Sequence, residues 1–192
     1  MIKEEAKRKN VPEVRFEGFE GEWERKKLRE IVAVNSGQDY KHLSPGNIPV
    51  YGTGGYMLSV NDALSFNQDA IGIGRKGTIN KPYILKAPFW TVDTLFYAIP
   101  NQDADLYFTF NLFQKINWKQ KDESTGVPSL SKVAINDTNI KIPHYKEQSQ
   151  IGTLFQQLDN QISHQRTKLQ KLQQIKQAML TKMFPQDGAK VP

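Results

Sequence analysis

The chain is 192 residues long, carries 26 Lys and Arg against 20 Asp and Glu for a formal charge of +6, and has no cysteine. That gives room for one domain of usual size plus an appendage, suits an acidic partner or simply a solvated surface, and excludes disulfides, thiolate metal sites and cysteine nucleophiles. No apolar run reaches membrane-spanning length, the charged start "MIKEEAKRKN" lacks the apolar core of a secretion signal, and His42, His144 and His164 are scattered without ligand spacing; a cytoplasmic protein without metal is expected.

Residues 1–10 read as a charged tail. Residues 11–145 read as one α+β domain rich in strands and loops, since they hold all three tryptophans, nearly all of the tyrosine and phenylalanine, and most of the glycine and proline. Strand-like runs follow one another as "NIPVY", "AIGIG", "PYILK", "TLFYAI" and "INDTNIKIP", punctuated by turns. "LYFTFNLFQKIN" is helical instead, with Leu106, Phe110, Phe113 and Ile116 three or four apart. Trp23, Trp90 and Trp118 are expected in the core.

In "DAIGIGRKGTINKPYI", Gly72, Gly74 and Gly77 have the G-x-G-x-x-G spacing of nucleotide-binding loops. A dinucleotide site needs its last glycine to open a helix whose N–H groups meet the pyrophosphate. Pro82 and the strand-favouring Thr78, Ile79, Tyr83 and Ile84 point away from a helix, so the glycines are expected between two strands. A P-loop fails because Lys76 precedes Gly77 instead of following it. An adenine methyltransferase would need more than "NKPY", a poor copy of its Asn-Pro-Pro-Tyr motif, and far more chain between the two elements. What the loop does offer is anion-binding chemistry: Arg75 and Lys76 side by side at a glycine-edged turn, with Lys81 close behind. A hairpin tip with solvated cations is the plainer alternative.

After Pro143 the texture becomes helical, and residues 146–184 read as one long helix followed by a tail at 185–192. Ile151, Leu154, Leu158, Ile162, Leu169, Leu172, Ile175, Met179 and Met183 recur at alternating spacings of three and four, interrupted only at Gln165. About 37 helical residues span about 55 Å, more than the preceding domain is expected to be wide. A narrow apolar seam of that length calls for a second helix, as in a coiled coil. Phe155 and Leu180 widen the seam at its ends.

Taken in order, "VPEVRFEGFEGEWERKKLREI", "PVYGTGGY", "AIGIGRKGTINKPYI" with "FWTVDTLFYAI", "STGVPSLSK", and "IPHYKEQSQIGTLFQQLDNQIS" leading into "KLQKLQQIKQAMLTKMFP" resemble one half of the specificity subunit of Type I restriction-modification systems. The resemblance covers nearly the whole chain: one target recognition domain and one conserved helix. It implies a subunit that catalyses nothing and holds no cofactor. Recognition domains in this family read the halves of a split DNA target, modification subunits carrying S-adenosylmethionine attach, and restriction subunits complete the nuclease. Here one domain and one helix are present, and the sequence stops at "GAKVP", where a second copy would begin. A half-subunit and a truncated copy are both open readings. Competing functions are an interaction module that only occupies modification subunits, and an adenine methyltransferase.

With that resemblance, double-stranded DNA contacts are expected in three glycine-containing loops. The first holds Tyr51, Thr53, Gly54, Gly55 and Tyr56, small residues that admit close backbone approach beside hydroxyls that donate to phosphates or bases. Arg75, Lys76 and Thr78 form the second, Arg75 being the best match to guanine because its fork fits O6 and N7. Ser124, Thr125, Gly126, Ser129 and Lys132 form the third, and Lys41, Lys81 and Lys119 are secondary candidates. The helix seam of Leu158, Ile162, Leu169, Leu172, Ile175 and Met179 is expected to join a second copy, or a different half-subunit, into a dimer.

Overall fold

The computed structural model describes residues 10–184; the tails expected at 1–10 and 185–192 lie outside them, Asn10 apart. The strand pattern of the sequence becomes three small sheets. Glu24–Lys27 (β1) pairs with Asn139–Ile142 (β9) as an antiparallel ribbon. Val32–Ser36 (β2), Ala70–Gly74 (β5), Tyr83–Leu85 (β6) and Leu95–Pro100 (β8) form a four-stranded antiparallel sheet in the order β2-β8-β5-β6. Pro45–Gly52 (β3), Gly55–Val60 (β4) and Trp90–Thr91 (β7) make the third, in which β7 runs parallel to β3.

Strand β5 is buried along its whole length, and this corrects the expectation that all three glycines lie between strands. Gly72 and Gly74 belong to β5 itself, and only Gly77, at φ +85°, stands in the connection to β6. A side chain at Gly74 would collide with the carbonyl oxygen of Thr78, and one at Gly72 would crowd Leu85 and Tyr83. The glycines therefore serve close packing. The chain after Gly77 leads into β6 with no intervening helix, so the geometry a dinucleotide needs is absent from this loop.

The main core lies between the four-stranded sheet and Leu106–Lys115 (α1), Lys132–Asn136 (α2) and the β1–β9 ribbon, filled by Leu28, Ile71, Ile73, Phe96, Phe108, Phe113, Trp118, Ile135 and Ile140 among others. Asp105 caps α1, its carboxylate accepting from the Phe108 amide at 2.8 Å. Trp118 is buried, its indole donating to the Phe113 carbonyl at 2.7 Å, and Trp90 is buried in a second cluster with Val50, Val60 and Val92. Trp23 is partly buried against the main core. Trp90 and Trp118 are core residues, as expected, and Trp23 lies at the core's edge. In "INDTNIKIP", Ile135 and Asn136 close α2 and only Asn139–Ile142 is strand: Ser131 caps a short helix there, accepting from the Ala134 amide at 3.0 Å.

Tyr145–Met183 (α3) is a single 39-residue helix. Its first turns are part of the domain, and the division between the chain's two compact units falls between Thr153 and Leu154, later than the helix start. Two polar side chains of its first turn make the difference. Glu147 and Gln148 are each 1% exposed. Glu147 receives a bidentate pair from Arg15, Nε at 2.8 Å and Nη2 at 2.7 Å, and the Trp23 indole N–H at 3.3 Å. Arg15 also donates to the carbonyls of Gly21 and Glu20. Gln148 donates to the carbonyls of Asp103 and Pro143 and accepts from the Asp105 amide. Gly152 completes the root, because any side chain there would collide with the Asp105 carboxylate that caps α1.

From Leu154 onward the helix is solvated. Leu158, Ile162, Leu169, Leu172, Ile175 and Met179 are between 42% and 57% exposed, whereas Ile151, in the first unit, packs on the main core. The expected seam is thus uncovered from Leu154 on.

Candidate nucleic-acid interface

The first loop is the β3–β4 hairpin. Gly52 faces Gly55 and Tyr51 faces Tyr56, leaving Thr53 and Gly54 as a two-residue turn, with Gly55 at φ +106° where a side chain would strain the backbone. Gly54 is exposed and Tyr56 is 63% exposed. Tyr51 meets both Tyr56 and Tyr83 edgewise or tilted, with ring centroids 6.4 and 6.1 Å apart. Tyr83 is fixed by its hydroxyl, which donates to the Gly52 carbonyl at 2.6 Å. Burial first, and Tyr51 second, push the Tyr83 pKa up, so this donor stays protonated throughout the physiological range.

The second and third loops are built together. Lys76 bridges to Ser129 in a short antiparallel contact, the Gly77 amide donates to the Pro128 carbonyl at 2.8 Å, and the Leu130 amide donates to the Arg75 carbonyl at 2.9 Å. Asp122 organises the third loop. Its Oδ1 accepts from the Ser124 amide and hydroxyl at 3.0 and 2.8 Å and from the Ser129 amide at 2.9 Å. These bonds, that of Ser129 foremost, hold the Asp122 carboxyl below the usual carboxylate range. The clamp is therefore intact at neutral pH and is lost only as pH falls through that lowered value. Thr125 and Gly126 are exposed at its tip.

Arg75, Lys76, Ser129 and Lys132 consequently line one open pocket of about 410 Å³, together with Ser36, Phe96, Glu123, Leu130 and Ser131. Arg75 lies over the Phe96 ring at 5.9 Å and spends one donor on the Asp93 carbonyl at 3.3 Å, while remaining exposed. Thr78 is half-buried, its carbonyl packed over Gly74. Lys41, Lys81 and Lys119 are exposed and do not line this pocket.

The connection Val92–Asp93–Thr94 links the first loop to the other two. The Val92 amide donates to the Tyr51 carbonyl at 3.0 Å, and the Thr94 carbonyl accepts from the Arg75 and Lys76 amides. The first and second loops are thus held on one short segment, and the third is bonded to the second. Sequence reasoning missed Ser36, Phe96, Glu123 and Ser131 as neighbours of the cations. Only Ser131 carried a local signal, as a helix-capping serine; the others come in through tertiary folding.

The family model described as Type I restriction modification DNA specificity domain matches residues 20–174. The chain belongs to that family. No curated protein sequence matches it. Among solved structures, this specificity domain is similar to the Type I restriction-modification S subunit of M. genitalium, with 21% identity and a TM-score of 0.65 over 85% of this chain and 46% of that one. A chain from a type I R-M system, solved in work on complex assembly and conformational transition, has 16% identity and a TM-score of 0.62 over 86% and 46%. The HsdS subunit of Thermoanaerobacter tengcongensis has 14% identity and a TM-score of 0.55 over 84% and 44%. These likenesses are of fold, and the specificity domain spans just under half the length of each solved chain.

Proposed function

We propose that this specificity domain is a non-catalytic DNA reader that recognises one half of a bipartite double-stranded target and scaffolds modification subunits, which bring S-adenosylmethionine, with restriction subunits completing a nuclease. The observation that carries the reading is the gathering of Arg75, Lys76, Ser129 and Lys132 around one open pocket, cations and hydroxyl together in an exposed concavity. Lysines and hydroxyls of this kind position a phosphate backbone, and an Arg75 fork turned to a base edge would read guanine. The first loop, with Gly54 and Tyr56 exposed, supplies close backbone approach and a hydroxyl at the other end of the 92–94 connection.

Replacing Arg75 and Lys76 with alanine is expected to weaken DNA binding by the assembled complex. Each lost phosphate contact should reduce the slope of log affinity against log salt by about one unit. A lost base contact should cost about 1 to 3 kcal/mol and relax specificity at one position. Mobility shifts at several salt concentrations check both, and an unchanged affinity and slope would return the two residues to the role of solvated hairpin cations.

The uncovered seam supports pairing with a second copy. Two copies related by a two-fold axis perpendicular to their helices run them antiparallel and carry identical domains to opposite ends, so the DNA they read together is an interrupted palindrome. Pairing with a different half-subunit would give an asymmetric target.

A further inference from the structure

A second, larger concavity lies in the domain and shares no residue with the pocket around Arg75. This groove, about 820 Å³, is lined by the β1–β9 ribbon, the last turn of α1 and the incoming segment Asn10–Pro12. Its floor is apolar: Val11, Pro12, Trp23, Leu112 and Ile116. Arg25, Lys26, Lys27, Lys115 and Lys141 stand around it against one acid, Glu30. Lys26 and Lys27 are engaged by Glu24 and Asp137. Among the described residues Arg25 and Lys115 have no acidic partner; Arg25 makes one long bond to the Asn10 side chain at 3.4 Å.

We propose that this groove docks an extended segment of a partner protein in which acidic and apolar residues alternate. The ribbon's register sets the spacing. Arg25 faces Lys141 and Lys27 faces Asn139, so Arg25, Lys27 and Lys141 share one face of the ribbon, with Arg25 and Lys27 about 6.8 Å apart at 3.4 Å per residue, while Lys26, paired with Ile140, points to the other face. An extended chain presents its own side chains with that period, acids toward the cations and apolar residues toward the floor. The lining distinguishes this occupant from DNA. It contains no serine, threonine or tyrosine, whereas the Arg75 pocket has Ser36, Ser129 and Ser131. A duplex offers phosphates but no apolar ridge to fill a floor of tryptophan, leucine and isoleucine. The chain's own residues 1–9 carry Lys3, Lys7, Arg8 and Lys9 against Glu4 and Glu5, the wrong net sign for a basic groove.

The test uses the full chain and a fluorescein-labelled peptide of alternating glutamate and leucine, with a lysine–leucine peptide and a short duplex as comparison probes. Fluorescence anisotropy should show saturable binding of the acidic peptide. Reversing both cations, Arg25→Glu with Lys115→Glu, should weaken it by about tenfold or more, while Arg75→Ala with Lys76→Ala leaves it unchanged. Both cations are exposed, so the reversed variant is expected to keep the parent's circular dichroism. Absence of peptide binding, or equal binding by the charge-reversed chain or of the lysine peptide, would overturn the proposal. So would a charge reversal that abolishes duplex binding in place of peptide binding, since the groove would then belong to the DNA interface. Failure of the DNA-reading assignment shows separately, as duplex binding insensitive to Arg75 and Lys76.

Discussion

Glu147→Ala is expected to destabilise the domain by about 3 to 5 kcal/mol, the usual cost of stripping one partner from a buried ion pair. The alanine leaves the Arg15 guanidinium, only 15% exposed, without its bidentate acceptor, and leaves the Trp23 indole N–H without its partner. Because Arg15 also holds the Gly21 and Glu20 carbonyls, one substitution loosens the 15–21 loop, the approach to β1 and the root of α3 together. For a chain of this length the midpoint of thermal unfolding should fall by about 2 to 4 °C per kcal/mol. Urea titration of parent, Glu147→Ala, Arg15→Ala and the double variant measures the coupling directly. The double variant should lose less than the sum of the singles, since neither charge is then left buried alone. A loss below about 1 kcal/mol for Glu147→Ala, the range of an exposed pair, would contradict a buried anchor.

Glutamate at both Leu169 and Leu172 is expected to turn the proposed dimer into a monomer. Fully burying an aliphatic side chain of this kind is worth about 1.5 to 3 kcal/mol, and in a two-fold assembly each substitution is met twice. Leu169 and Leu172 are 57% and 54% exposed in the single chain, so the domain loses nothing by the change and the whole effect falls on association. Light scattering should report twice the chain mass for the parent at micromolar concentration and once that mass for the variant. Helical ellipticity should fall as well, because a solvated helix carrying Arg166, Lys168, Lys171, Lys176 and Lys182 against Asp159 loses the packing that supports it. A parent that is already monomeric, or a variant that keeps the doubled mass, would contradict pairing through this seam.

The long helix was legible in the sequence because its apolar spacing persists for many turns, and the same holds for β3, β5, β6 and β8, whose β-branched and aromatic runs are bounded by turns. Where local pattern and tertiary packing part company, the sequence misleads. Gly72 and Gly74 mimic a phosphate loop, yet they sit inside a strand because Thr78, Leu85 and Tyr83 press against them. The acid and amide of "KEQ" look like ordinary helix surface, and nothing local announces that Arg15, more than a hundred residues away, buries one of them. The site divides in the same way. Its cations and glycines stand out as residue types, but that Lys76 bridges to Ser129, and that Glu123 and Phe96 share their pocket, depends on chain pairing over long separations. The groove floored by Trp23, Leu112 and Ile116 has no continuous motif at all.

The proposed pairing of two DNA-reading copies is tested most directly by mapping the methylated sites in a cell that carries this chain as its sole specificity subunit together with modification subunits. The predicted result is one interrupted palindrome, methylated on both strands, whose identity changes or relaxes at a single symmetric position when Arg75 is replaced by alanine. A methylated target with unrelated halves, or no sequence-specific methylation at all with modification subunits present, would contradict it.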